Sequence, residues 1–95
     1  MSLQKKKLYV IVRGDLSSAQ RAVQAGHAVA EWCLSKKGWS NGTLVYLKAM
    51  GFDHMRYLFK QLDNACAFYE PYYDGEMTAF AYLGEHELFE ELPLL

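Results

Sequence analysis

The stretch that most constrains the fold is a seven-residue run, Lys7 to Arg13 (KLYVIVR), with a helix start close behind it. Its β-branched and aromatic residues show no polar alternation, so it reads as a strand buried on both faces, as in the middle of an α/β sheet. Gly14-Asp15-Leu16 breaks the strand. Ser17 then offers an N-cap, and Gln20 three residues on completes a capping-box pattern. The helix therefore begins beside the strand's carboxyl end, the edge at which open α/β sheets usually bind ligands.

On a helical wheel, Ala19, Ala22, Val23, Ala25, Gly26, Val29, Ala30, Cys33 and Leu34 fill one broad arc, which is expected to pack on the sheet. Gly26 and the alanines keep that arc smooth and are expected to let the helix lie close. Gln20, Gln24, His27 and Glu31 stack on the remaining side. A polar helix face is ordinarily just solvated. Two amides and an imidazole, however, are specific hydrogen-bonding groups where Lys and Glu would be the usual solubilising choice. The helix is expected to end near Ser35, with Lys36 and Lys37 at the negative end of its dipole.

The remainder alternates strands and helices. GWSNG, residues 38–42, is a turn-rich connection whose Trp39 is either a core anchor or a stacking surface. Thr43 to Met50 reads as a second strand, and Asp53 as the cap of a second helix running to about Leu62, with Met55, Leu58, Phe59 and Leu62 inward. Ala65 to Tyr69 is a third strand, Glu70 to Gly75 a loop with an Asp-Gly turn signal, and Met77 to Leu83 a fourth strand. In that strand Thr78, Phe80 and Tyr82 are expected on one face, Ala79 and Ala81 on the other. Its short link to the third strand makes the two antiparallel. Glu85 to Leu92 reads as a short acidic helix. The order is βαβαββα, and the crossover-length connections around both helices imply a mixed four-stranded sheet flanked by helices in a single α/β domain.

Ninety-five residues suffice for one hydrophobic core. No apolar run approaches a membrane span, and no signal-peptide pattern opens the chain. Met1-Ser2-Leu3 carries no functional weight, and Lys5 and Lys6 ahead of the first strand read as solubility. The two cysteines, Cys33 and Cys66, are expected as packed, reduced thiols of a cytoplasmic protein. Residues 1–60 carry a formal charge of +7 and residues 61–95 carry −8. Such asymmetry gives a basic and an acidic side, unless the halves interleave; the basic part is compatible with phosphates.

Several chemistries fail early. There is no Gly-x-Ser-x-Gly elbow, no phosphate-cradling Gly-x-x-x-x-Gly-Lys and no Cys-x-x-Cys. His27 and Glu31 share metal-compatible spacing, but neither His54 nor His86 is placed locally as the third ligand a catalytic metal wants. What remains is the helix stripe at the strand edge. Arg13 and Asp15 join it from the strand exit, and Glu70, Asp74 and Thr78 from the later loop. A carboxylate with amides and hydroxyls can orient a water and stabilise an oxyanion, as ester hydrolysis requires.

Arg13-Gly14-Asp15-Leu16 followed by Gln24-Ala25-Gly26-His27-Ala28 resembles the signature of the type 2 peptidyl-tRNA hydrolases. Glu70-Pro71, Thr78-Ala79-Phe80-Ala81 and Leu92-Pro93-Leu94-Leu95 resemble that family's acidic loop, last strand and tail. The resemblance implies hydrolysis of the ester joining a peptide to tRNA, without metal or cofactor. It implies catalytic roles for Gln24, His27, Asp15, Thr78 and either Glu70 or Asp74, with Gln20, Arg21 and Arg13 toward the substrate. Where the family's helix carries a Lys, four residues before its Gln, this chain has Gln20, with Arg21 beside it. Loss of that ammonium motivates a competing reading, a non-catalytic module binding RNA or a small polar ligand in the same groove. A third is homodimerisation through the aromatic-rich later half (Phe68, Tyr69, Tyr72, Tyr73, Phe80, Tyr82).

Overall fold

The computed structural model describes residues 6–95; Lys5 and Met1-Ser2-Leu3 lie outside them. Strand β1 (Leu8–Arg13) leads into helix α1 (Ser18–Ser35), then β2 (Leu44–Ala49), α2 (Phe52–Lys60), β3 (Cys66–Glu70) and β4 (Glu76–Leu83). Two single 3₁₀ turns, Pro71–Tyr73 and Glu87–Phe89, complete the order. The sheet runs β2-β1-β4-β3. β1 is parallel to β2, and β4 is antiparallel to both β1 and β3. This is the mixed α/β sheet that the element order implies.

The uninterrupted apolar run of β1 is explained by its place between two cores. Leu8, Val10 and Val12 face α1, packing with Ala25, Ala28 and Trp32. Tyr9 and Ile11 face the other way, with Met55 and Leu58 of α2 and with Phe80 and Phe89. Leu8, Val10, Ile11 and Val12 are wholly inaccessible. At full burial each such side chain is worth roughly 1.5–3 kcal/mol. The outer edge of β2 is covered by the tail: the Lys48 N–H donates to the Pro93 carbonyl at 2.9 Å and the Leu95 N–H to that of Tyr46 at 3.0 Å. A strand edge so covered cannot template pairing with another chain. At the β1 exit Gly14 is required: a Cβ there would meet the Ala49 carbonyl oxygen at 2.6 Å.

Several expectations need correction. α1 is rotated from the expected facing, so that of the small-residue arc only Ala25 and Val29 reach the core. Its buried residues are Gln24, Ala25, Ala28 and Trp32, whereas Ala19, Ala22, Val23, Gly26, Ala30, Cys33 and Leu34 are exposed. The sheet needs a bulky anchor, and Trp32 supplies it; turning Trp32 inward rotates the small-residue arc out. Cys33 is consequently an exposed free thiol, while Cys66 is buried. The capping box is half made: Ser17 Oγ accepts from the Gln20 N–H at 3.2 Å, but the Gln20 side chain turns to Gln24 instead. Asp53 sits inside the first turn of α2, whose N-cap is Gly51. The last helix shrinks to the Glu87–Phe89 turn, capped by the His86 ring. Phe80 is fully buried and Trp39 half-buried against the α1-side core, its indole donating to the Thr43 carbonyl. The charged halves interleave where Lys7 meets Glu85 and Arg13 meets Glu76.

Candidate functional site

The register of β4 creates the site. Phe68 pairs with Ala79 and Tyr69 with Met77, so Thr78 is an extra residue, a β-bulge. Regular alternation would put Met77 and Ala79 on one face. Instead Met77 and Phe80 join the α2-side core and Ala79 the α1-side core. Thr78 turns toward α1, not toward the face of Phe80 and Tyr82 expected from alternation. There its hydroxyl donates to Gln24 Oε1 at 2.5 Å.

Gln24 and Thr78 are the two wholly buried polar side chains among the described residues. The Gln24 amide is fully engaged. Its Nε2 donates to Glu70 Oε1 at 2.8 Å and to Gln20 Oε1 at 3.3 Å, while Oε1 accepts from Thr78. Both amide protons are thus committed. The other Glu70 oxygen accepts from the Tyr72 N–H at 3.2 Å. The Gln24 amide first, and then the Tyr72 N–H, hold the Glu70 carboxyl below its ordinary value, outweighing the opposing effect of desolvation. α1 and β3 pack side by side, so two residues of one element meet two of the other. Gln24 meets Glu70, and one helical turn on the exposed His27 ring stacks on Phe68, with centroids 4.4 Å apart and planes 7° from parallel.

Among the residues singled out in the sequence, Gln20, Gln24, Glu70 and Thr78 are therefore joined by hydrogen bonds, and His27 lies one helical turn on, against Phe68. Between the two acids of the later loop, it is Glu70 that meets Gln24. Asp74 lies in a left-handed conformation at the end of the Pro71–Tyr73 turn and lines a separate cavity with Arg56 and Lys60. Arg13 and Asp15 form a second group. Arg13 grips both Asp15 oxygens, at 3.1 and 2.9 Å, and reaches Glu76 at 2.7 Å. Its guanidinium also lies over the Phe52 ring of α2, 5.3 Å from the centroid. These hydrogen bonds, Asp15 first, raise the Arg13 pKa and lower that of Asp15. Asp15 thus braces the strand exit and makes no hydrogen bond to Gln24. Arg21 donates to Ser18 Oγ at 3.2 Å. Among the described residues, no three His, Cys, Asp or Glu side chains gather as metal ligands, His27 and Glu31 included. No described helix is long and apolar enough to cross a membrane.

Sequence reasoning missed Phe68, Glu76 and the bulge. Phe68 was legible only as an aromatic on a strand, and its pairing with His27 depends on the helix rotation set by Trp32. No family model matches the chain, and no curated protein matches it in sequence.

Proposed function

We propose that the Gln24–Glu70–His27 group serves ester hydrolysis, with peptidyl-tRNA or a related acyl ester as substrate. The observation that carries the reading is the use of a fully buried amide, anchored by a bulged threonine, to fix the Glu70 carboxylate at the end of β3, one turn of α1 from the exposed imidazole of His27. The resemblance to the type 2 peptidyl-tRNA hydrolases supports the choice of substrate.

In this scheme Gln24 and Thr78 are positioning residues, because both are buried and their protons are engaged. Glu70 and His27 meet the substrate. His27 accepts the proton of a water that Glu70 orients, and that water attacks the ester carbonyl carbon. The tetrahedral oxyanion is met by the Gln20 amide N–H groups, whose carbonyl end is held by Gln24. Collapse expels the ribose oxygen, which takes the proton back from His27. The test is release of free tRNA from diacetyl-lysyl-tRNA, beside a Gln24→Ala, His27→Ala double variant. Turnover well above the variant's supports the scheme; equal rates sink it.

A binding module without catalysis is the second reading. It is favoured by Gln20 standing where the family has Lys and by Arg21 being turned to Ser18. Saturable tRNA binding with no release of tRNA would establish it in place of the hydrolase.

A further inference from the structure

On the α2 side of the sheet a cavity of about 340 Å³ opens between α2 and the end of β3. Its size falls at the lower end of the roughly 300–1,000 Å³ of small-molecule clefts. The bulge that aims Thr78 at Gln24 also builds its floor. Met77, paired with Tyr69, turns to the α2 side, where it is buried and lines the cavity with the half-buried rings of Phe52 and Phe59. The wall above this apolar floor carries both signs of charge. Arg56 and Lys60, one turn apart on α2, stand on it with Asp74 and Glu76. Glu76 is committed to Arg13. Arg56, Lys60 and Asp74 form no ion pair among the described residues, so Asp74 lies more than 4 Å from both cations. The scaffold holds these charges apart. The Arg56 guanidinium rests over the Phe52 ring, 5.5 Å from its centroid, and Asp74 is fixed in the left-handed region with its N–H on the Pro71 carbonyl at 3.1 Å.

A ligand of one charge would leave part of this wall unmatched. With Arg13 and Asp15, which hold Glu76, the cations Arg13, Arg56 and Lys60 stand with the carboxylates Asp15, Asp74 and Glu76. Three against three is balanced, so the surroundings favour a ligand that is neutral overall and carries both signs. The floor of rings and thioether favours an aromatic body. We propose that the cavity binds a free α-amino acid with an aromatic side chain, its carboxylate at Arg56 and Lys60, its ammonium at Asp74 and its ring on Phe52, Phe59 and Met77. The two charges of such a molecule, one carbon apart, bridge groups that stand too far apart to pair directly. Arg56 supplies the planar fork that matches a carboxylate. The assignment is independent of the ester-hydrolase reading, because no residue of the Gln24–Glu70 group lines the cavity.

The experiment follows the Met77 methyl resonance, assigned with Met77→Leu, as small ligands are added. L-phenylalanine is compared with phenylpropionate, which lacks the ammonium, with phenethylamine, which lacks the carboxylate, and with glycine, which lacks the ring. Phenylalanine is expected to move the Met77 methyl saturably at millimolar concentration or below. Phenylpropionate and phenethylamine should each bind about tenfold more weakly, the usual loss for one charge-assisted contact, and glycine should leave the methyl where it is. Asp74→Asn should weaken phenylalanine about tenfold without weakening phenylpropionate. Arg56→Gln with Lys60→Gln should weaken phenylalanine without weakening phenethylamine. All three side chains are exposed, so these variants keep the fold. Lys36→Gln, beyond the end of α1, should change nothing. A Met77 methyl unmoved by phenylalanine at tens of millimolar overturns the site. Phenylpropionate or phenethylamine bound as tightly as phenylalanine overturns its assignment to an amino acid, as does an Asp74→Asn protein of unchanged affinity.

Discussion

Thr78→Val is the sharpest probe of the buried polar chain. The exchange keeps the β-branched shape and removes only the hydroxyl that donates to Gln24 Oε1. Because Gln24 and Thr78 are wholly inaccessible, no water can replace the lost donor. The Gln24 carbonyl then stays buried and unpaired, a cost of about 1–3 kcal/mol. In a domain of this size each kcal/mol is worth roughly 4–8 °C, so a melting point lower by about 8–16 °C is expected for a mid-range loss. Thermal and urea unfolding followed by circular dichroism measure it. Gln24→Leu alone should also destabilise, since it strands the Thr78 hydroxyl. The double variant, with both polar groups gone, should lose less than the sum of the two, by about 1 kcal/mol or more. A Thr78→Val protein within ~0.5 kcal/mol of wild type, or a strictly additive pair, would refute the claim that this contact organises the site.

Other outcomes follow from the same contacts. Gly26 sits mid-helix with open space where a Cβ would go, so Gly26→Ala should stabilise by about 0.5–1 kcal/mol, read from urea midpoints. Gly14→Ala should destabilise by ~1–3 kcal/mol in the same assay, because its Cβ would collide with the backbone oxygen of Ala49. The Glu70 carboxyl is depressed in the folded protein by Gln24 and Tyr72. Its contribution is therefore present above the ordinary glutamate value near 4.3 and is lost as pH falls through the lower folded value. Glu70→Gln should flatten the stability profile in that acid window, and a profile unchanged by the substitution would contradict the assignment. Arg13→Lys, which cannot span Asp15 and Glu76 with one planar fork, should cost about 1 kcal/mol in urea unfolding.

The strand-then-helix entry was legible because β1 is apolar from Leu8 to Val12 and Ser17 is a good cap, and both are local signals. The mixed sheet followed from connection lengths. The rotation of α1 was not legible. Small residues make an apolar arc on the wheel, yet burial is decided by volume, and one tryptophan outweighs several alanines and a glycine. That rotation carries Gln24 from solvent into the core and turns it from a surface donor into a support for Glu70. The aim of Thr78 was likewise hidden, since an extra residue in β4 reverses its face and nothing in MTAFAYL marks the bulge. Glu70 rather than Asp74 meets Gln24 because β3 extends one residue further than its apolar run, ending on Glu70. The residues that meet around Gln24 were therefore nameable one by one from type and spacing, whereas their division into buried and exposed side chains was not.

The most direct measurement of the central claim is the rate of tRNA release from peptidyl-tRNA by wild type and by Glu70→Gln. The amide keeps an oxygen for the Gln24 donor, so the fold should survive while the carboxylate charge disappears. A wild-type rate far above the uncatalysed one, falling by about 10²-fold or more in Glu70→Gln, is the expected result. A Glu70→Gln protein as fast as wild type, or a wild type no faster than buffer, would contradict it.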